Sequence, residues 1–187
     1  GTFAPVFVTS GTGNIALTPL LEGITRYMPS PTEIPVPHGE GKVGDEIVTP
    51  SDTAALAAYV FKTSADPFVG KMTYLRTFSG VLASDTRVWN HNKGAEERVG
   101  TLHVMRGKEQ IAIKQIHAGD ICTVAKLSAT VTGDTLGDKT HPIQLPMPAY
   151  PAALYAVAVH PKTQADATKL GPTLTRLCEE DLTLHWR

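Results

Sequence analysis

The chain has 187 residues, of which 42% are hydrophobic, and a formal net charge of −1. These values argue against a disordered or fibrous chain and against a strongly basic nonspecific nucleic-acid binder, and they fit one ordinary domain or two small ones. The longest apolar runs are far shorter than the ~20 residues of a transmembrane helix, and the N-terminus has no secretory signal.

The two cysteines, Cys122 and Cys178, lie far apart in apolar surroundings. This spacing predicts free buried thiols rather than a disulfide framework, and therefore a reducing compartment such as the cytoplasm. The chain begins with Gly rather than Met, which suggests a piece of a longer protein.

The first predicted elements are a short buried strand over residues 5–9, a Ser-Gly-Thr-Gly loop and an amphipathic helix over residues 18–28. Thr18 is the expected N-cap and Pro19 the expected first helical residue. Pro and Gly are frequent from residue 29 to residue 50, which predicts a connector with little regular structure over residues 31–53.

Residues 54–146 contain several short β-like runs separated by Gly, Asn and Asp turn signals, and no long helical pattern. This pattern predicts a mainly β fold, specifically a small closed antiparallel β-barrel. Residues 147–187 predict one more strand over residues 154–160, a helix over residues 164–180 and the start of another strand. An interior Gly171-Pro172 pair predicts a kink or a restart in that helix.

Two phosphate-binding patterns can be rejected. Gly70-Lys71 lacks the first glycine of a P-loop, where Ala65 stands, and its hydroxyl residue, where Met72 stands. The G-T-G-N-I-A stretch at residues 11–16 fits a dinucleotide pattern but lacks the second strand ending in an acidic residue. Neither pattern predicts a nucleotide site.

No catalytic or metal-binding set emerges from the sequence. The seven histidines, of which His38 is the first, are never at ligand spacing. The acidic runs Glu96-Glu97 and Glu179-Glu180-Asp181 are predicted to be solvated surface. We therefore predict no catalytic residue, metal or cofactor in this chain.

The run from Lys71 to Phe78 alternates between two faces of a predicted strand. Two interpretations stand. In one, Tyr74, Arg76 and Phe78 lie outside as an interface face; in the other, Met72 and its neighbours face the core.

Several stretches, taken in order, resemble translation elongation factor G and its close paralogues from about Pro5 to the end. They are A-Y-V-F-K-T-S-A-D-P-F-V-G-K-M-T-Y-L-R-T-F-S-G, K-G-A-E-E-R-V-G-T-L, H-A-G-D-I-C, T-G-D-T-L-G-D and V-A-V-H-P-K-T-Q-A-D. Their shared order makes this resemblance far more specific than either phosphate-binding pattern.

The resemblance implies a domain map. Residues 1–30 would be the last strand and helix of a GTPase domain, with Ser10 and Gly11 in the loop that meets the guanine base. Residues 54–146 would be the barrel of domain II. Residues 147–187 would open domain III, a ferredoxin-like α+β fold, as a truncated β-α-β.

The resemblance also implies a function for the parent protein: GTP hydrolysis with Mg²⁺, stimulated by the ribosome, and translocation. The hydrolytic motifs would lie upstream of Gly1, so this fragment alone would not be an enzyme. Its expected partners are small-subunit rRNA, a ribosomal protein and other domains of the same factor, with no membrane.

Three departures favour a paralogue: Gly11 in place of the usual Ala, the Gly171-Pro172 pair and the unusual connector. A ribosomal protection or release-factor GTPase, or a stand-alone barrel that binds RNA or protein, stays an alternative.

Four cations near predicted hairpin tips are the candidates for rRNA phosphate contacts: Lys93, Arg98, Arg106 and Lys108. Unpaired strand edges at both ends of the chain are expected to fold onto the barrel or to pair between chains as a dimer.

Overall fold

The computed structural model describes residues 3–34, 39–41, 44–46, 48–66 and 69–187. His38 and Pro67 of the predicted Asp66-Pro67 turn lie outside these residues, as does part of the predicted connector. The chain divides into two units, Gly1–Pro35 and Val36–Arg187. In chain order the elements are α1 (Leu17–Tyr27), β1 (Gly39–Gly41), β2 (Gly44–Glu46), β3 (Ala57–Asp66), β4 (Gly70–Ser79), β5 (Leu82–Ala83), β6 (Arg87–Asn90), β7 (Ala95–Arg98), β8 (Leu102–Arg106), β9 (Glu109–Ile113), β10 (Gln115–Ile116), β11 (Ile121–Ala125), β12 (Thr135–Gly137), β13 (Ile143–Gln144) and α2 (Gln164–Glu180).

The first unit contains the predicted helix without the predicted strand. Residues 5–9 form no strand, because a strand needs a hydrogen-bonded neighbour and no described segment pairs with them. The N-cap is Ala16, in a left-handed conformation, so the expectation that Thr18 caps the helix is wrong. Pro19 is instead the third helical residue, where the backbone N–H would have no intrahelical partner.

The second unit is built on an eight-stranded antiparallel sheet in the order β7-β6-β12-β3-β4-β11-β8-β9. Its longest strand pairing joins β3 to β4, with register shifts between Ala57 and Ala58 and between Val60 and Lys62. The mainly β, antiparallel architecture predicted for residues 54–146 is confirmed.

The strand ladder does not close, so the prediction of a closed barrel is corrected. Among the described residues, β7 and β9 each pair on one side only. Side chains bridge β7 instead, since Glu97 accepts hydrogen bonds from residues 128–130, which follow β11. Strand β7 has only four residues, and its inward carboxylate makes contacts on the side where the strand has no ladder partner.

The main core is formed mostly by side chains from the strands of this sheet. Its apolar members include Val60, Leu75, Leu102, Val124 and Leu136, all of them fully buried. A second, smaller cluster contains Val48, Ala57, Tyr59, Ile143 and Leu145. Both clusters belong to the second unit.

The predicted connector contains more regular structure than expected. Within it, β1 pairs with β2 and also with β13, which gives a three-stranded antiparallel sheet. The sequence did not reveal these strands, because the segment is rich in Gly and Pro and each strand has only three residues. The pairing of β1 with the distant β13 is also not encoded locally.

The predicted C-terminal helix is present and its flanking strands are not. In α2, Thr163 and Asp166 form a reciprocal capping box. The helix continues as one element through Pro172, so no restart occurs there. The stretch predicted as a strand over residues 154–160 pairs with no segment that the structure describes, and Leu154 is 98% exposed.

Candidate functional site

The loop before α1 is a tight turn closed by backbone pairing. Ser10 and Ile15 exchange two hydrogen bonds of 3.1 Å, and the Ser10 Oγ accepts a third from the Gly13 N–H at 3.1 Å. Gly11 lies exposed at the tip, with free space where a Cβ would be. The role of Ser10 and Gly11 at a guanine base stays a prediction.

Along β4, alternation places two different sets of side chains on the two faces. Tyr74, Arg76 and Phe78 are partly exposed on the outer face. The opposite set is buried and consists of Thr73, Leu75 and Thr77. Met72 does not follow the alternation, because it is buried although it shares parity with the outer set.

The outer face of β3 and β4 pairs aromatic rings with cations. The rings of Phe61 and Tyr74 lie 6.3 Å apart, and the Lys62 Nζ lies 5.8 Å from the Tyr74 ring centroid. The Arg76 guanidinium lies 5.2 Å from the Phe78 ring centroid. Phe78 also packs against the second core cluster, so its ring contributes to packing as well as to this face. An interface role for Tyr74, Arg76 and Phe78 stays a prediction.

The four predicted phosphate-contact residues fall into three settings. Lys93 and Lys108 are exposed in the turns that join β6 to β7 and β8 to β9. Arg106, at the end of β8, forms an ion pair of 2.7 Å with Glu109. Arg98 ends β7 on its outer face. The two lysines are therefore exposed cations that lie in the hairpin turns themselves.

A buried polar cluster that the sequence patterns did not reveal fixes the β6–β7 hairpin. Glu97 is only 4% exposed, so its assignment to solvated surface is wrong. Its Oε1 accepts from the backbone N–H of Ala129 at 2.7 Å and of Thr130 at 2.8 Å. Its Oε2 accepts from the Ser128 hydroxyl at 3.1 Å. The A-E-E-R alternation was the available signal, since only one of two adjacent strand residues faces outward.

Asn90 completes this cluster from the neighbouring strand. Its side-chain amide donates to the Thr130 hydroxyl at 3.1 Å and to the Asp134 carboxylate at 2.8 Å. Its side-chain oxygen accepts from the Lys93 N–H at 3.0 Å. The turn that carries Lys93 is thus tied to residues 130–134.

Glu97 and Asp52 both have a pKa below the ordinary value, for different reasons. Burial raises the pKa of Glu97, but hydrogen bonds from Ala129, Thr130 and Ser128 together outweigh burial and lower it. The pKa of Asp52 is lowered first by the side chain of His117, whose Nδ1 lies 2.7 Å from the Asp52 Oδ2, and then by the Ala118 N–H. Both groups are therefore held in the ionised form.

The described residues offer few other groups that could bind a metal ion or react. They contain no group of three or more His, Cys, Asp or Glu side chains placed to hold a metal ion. Burial raises the pKa of the Cys122 thiol to about 12, which keeps it protonated. No described helix is long and apolar enough to cross a membrane.

Comparison with known proteins decides the family. The family model for elongation factor G domain 2 matches residues 55–139, and the model for elongation factor G domain III matches residues 150–187. Elongation factor G from Fervidobacterium nodosum is 39% identical over 99% of this chain. The chain belongs to the elongation factor G family.

A solved structure from Thermus thermophilus supports the fold, with a TM-score of 0.75 and 31% identity over 96% of this chain. The chain spans 27% of the length of the Fervidobacterium nodosum factor and 25% of the Thermus thermophilus chain. It thus corresponds to about a quarter of each of these relatives.

Within this family, the sheet of residues 57–137 belongs to domain II and α2 to domain III. Polar contacts join the two: the Thr63 hydroxyl donates to the Glu179 carbonyl at 2.7 Å, and the Lys71 Nζ lies 3.5 Å from the Glu179 carboxylate. The N–H of Ala65 donates to the carboxylate of Glu180. Glu179 and Glu180 of the acidic run, which the sequence predicted to be solvated surface, are therefore part of the contact between domains II and III.

Proposed function

We propose that this chain is the ribosome-docking part of a translational GTPase of the elongation factor G family. The observation that carries the proposal is the pair of exposed lysines, Lys93 and Lys108, at the tips of two hairpins of domain II. A cation at the tip of a hairpin can approach an RNA phosphate without steric hindrance, and the hydrogen bond from Lys93 to Asn90 stiffens the first tip.

The proposal assigns recognition to this chain and nucleotide chemistry to the parent factor. Gly70 and Lys71 open strand β4 rather than lying between a strand and a helix, so their geometry does not suit a phosphate cradle. GTP and Mg²⁺ would bind elsewhere in the parent, with Ser10 and Gly11 at the edge of the guanine site. The parent would couple GTP hydrolysis to translocation in the cytoplasm.

The partners follow from the surface chemistry. Lys93, Arg98 and Lys108 would contact phosphates of small-subunit rRNA, and Arg106 would contribute after leaving Glu109. The partly exposed face around Tyr74 and Arg76 would contact protein, either a ribosomal protein or another domain of the factor.

Co-sedimentation with purified small ribosomal subunits tests this function. The unaltered chain should pellet with the subunits at low salt and be released as salt rises, because phosphate contacts displace counterions. A Lys93→Glu, Lys108→Glu variant should bind more weakly and with a shallower salt dependence. Lys169→Glu, a single charge reversal on exposed α2, is the control.

Two results would reject the proposal. One is failure of the unaltered chain to pellet with the subunits at low salt. The other is a hairpin variant that binds as well as Lys169→Glu.

A further inference from the structure

The outer face of the β6–β7 hairpin carries two arginines directly opposite each other. The antiparallel register pairs Arg87 with Arg98 and Trp89 with Glu96. Paired residues on antiparallel strands point to the same face, with Cβ atoms about 4.5–5.5 Å apart. Both arginines are exposed, so two guanidinium groups share one small area of surface.

The charge of this face is only partly compensated from within the chain. The Arg87 Nη1 lies 2.7 Å from the Glu96 Oε1, so the Glu96 carboxylate is engaged in an ion pair with Arg87. Within the described part of the chain, Arg98 forms no ion pair. Like charges directly opposite each other on paired strands oppose folding, so this arrangement favours an anion brought by a partner.

An aromatic ring and a third cation adjoin the arginines. Strand β12 pairs Gly137 with Trp89, and the loop after it places the Lys139 Nζ 4.5 Å from the centroid of the Trp89 ring. We call the side chains of Arg87, Trp89, Arg98 and Lys139 the arginine–tryptophan patch. It combines three cations with one large flat ring, and the Glu96 carboxylate on the same face is paired with Arg87.

The hairpin beneath the patch is anchored by buried hydrogen bonds. Its inward residue Glu97 is held by three backbone N–H groups and two hydroxyls of residues 128–130. Asn90, at the end of β6, binds Thr130 and Asp134. A fixed platform lowers the entropy lost when its exposed side chains bind a partner.

We propose that the arginine–tryptophan patch binds a single-stranded or looped segment of RNA. A phosphate would lie between Arg87 and Arg98, because the guanidinium fork matches phosphate oxygens. An unpaired base would stack on Trp89 and displace Lys139 toward the next phosphate. This inference rests on the proposed function and deepens it, since it names the form of RNA and four side chains, three of them outside the set predicted from sequence.

RNA is favoured over an acidic protein because of Trp89. An acidic peptide would neutralise the arginines and would leave the indole ring without a flat partner. An RNA segment supplies both phosphates and bases at adjacent positions.

Tryptophan fluorescence reports on this patch directly. The chain has two tryptophans, Trp89 and Trp186, so Trp186→Phe leaves Trp89 as the only tryptophan. A short oligouridylate should quench its emission, and an RNA duplex of the same length should do so much less, because paired bases cannot stack on the ring. Polyglutamate tests the acidic-protein alternative.

Charge reversals complete the test in the Trp186→Phe chain. Arg87→Glu and Arg98→Glu should each weaken oligouridylate binding and reduce the slope of log K against log salt by about 1 or more. Lys169→Glu is the control and should change neither. Circular dichroism at the assay temperature establishes that each variant is folded.

The outcomes separate this inference from the proposed function. If the chain binds small subunits but Trp89 emission is unaffected by oligouridylate, or is quenched equally by polyglutamate, the patch assignment is wrong and the docking function stands. If Arg87→Glu and Arg98→Glu bind as the control does, the assignment is also wrong. If the unaltered chain binds neither subunits nor oligouridylate, both proposals fail.

Discussion

Replacing Glu97 with Ala should remove much of the stability of domain II. The carboxylate accepts from three backbone N–H groups, at 2.7 Å from Ala129, 2.8 Å from Thr130 and 3.3 Å from Ser128, and from the hydroxyls of Thr130 and Ser128. Without it, these buried donors lose their acceptor. At about 1–1.5 kcal/mol for each N–H, the loss is about 3–5 kcal/mol.

The assay is urea unfolding followed by circular dichroism at pH 7. A small domain is stable by about 5–15 kcal/mol, so the midpoint for Glu97→Ala should fall steeply. The unfolding midpoint of Glu97→Gln, which keeps one acceptor oxygen, should lie between those of the unaltered chain and Glu97→Ala. Glu96→Ala is the matched control, because it removes only an exposed ion pair with Arg87 worth about 0–1 kcal/mol.

The effect should depend on pH in a definite direction. The pKa of Glu97 is lowered in the folded protein, so its contribution is present above its ordinary pKa of 4.5 and is lost as pH falls through the lower folded value. The difference between the unaltered chain and Glu97→Gln should therefore shrink in acid. If Glu97→Ala costs no more than Glu96→Ala at pH 7, the bridge from β7 to residues 128–130 does not stabilise the domain as argued.

Three further predictions follow from backbone geometry and burial. Gly80→Ala should destabilise domain II by ~3 kcal/mol or more, because Gly80 has a φ of +72° and a Cβ would lie 2.7 Å from the Leu56 Cα. Gly107→Ala, at φ +61° in open space, should cost only ~1–2 kcal/mol, and equal losses of the two variants in urea unfolding would refute this. Pro172→Ala should raise the thermal stability of α2, since an interior proline costs ~3 kcal/mol and one hydrogen bond; unchanged or lower helical signal on heating would contradict this. A thiol reagent should modify Cys178 well before buried Cys122 in the native chain, and simultaneous labelling of both in native buffer would count against the packing around Cys122.

Local sequence signals were sufficient wherever an element depends on its own residues. The α2 segment from Gln164 to Glu180 has a capping box and helical spacing, so its bounds could be predicted. The turns at Gly94 and Gly107 have positive φ, which glycine permits, and they located the hairpins and their exposed lysines. The recognisable stretches across domain II sufficed to indicate the family.

Elements that depend on a distant partner were predicted poorly. Residues 5–9 and 154–160 have the composition of strands, yet none forms, because β structure requires a neighbour that composition does not supply. The short strands β1 and β2 were missed for the opposite reason, since pairing with β13 orders a Gly-rich segment.

The amino-acid sequence by itself determined the antiparallel β class of domain II and the helix of domain III, because alternation, capping and turn chemistry act over a few residues. Its resemblance to known sequences indicated the family. Only the tertiary structure decided which acidic residues are buried and which cations stand together. Glu96 and Glu97 are neighbours in the chain, but one pairs with Arg87 in solvent and the other holds residues 128–130 inside. Arg87 and Arg98 are eleven positions apart and become neighbours only through strand register, which no local pattern encodes.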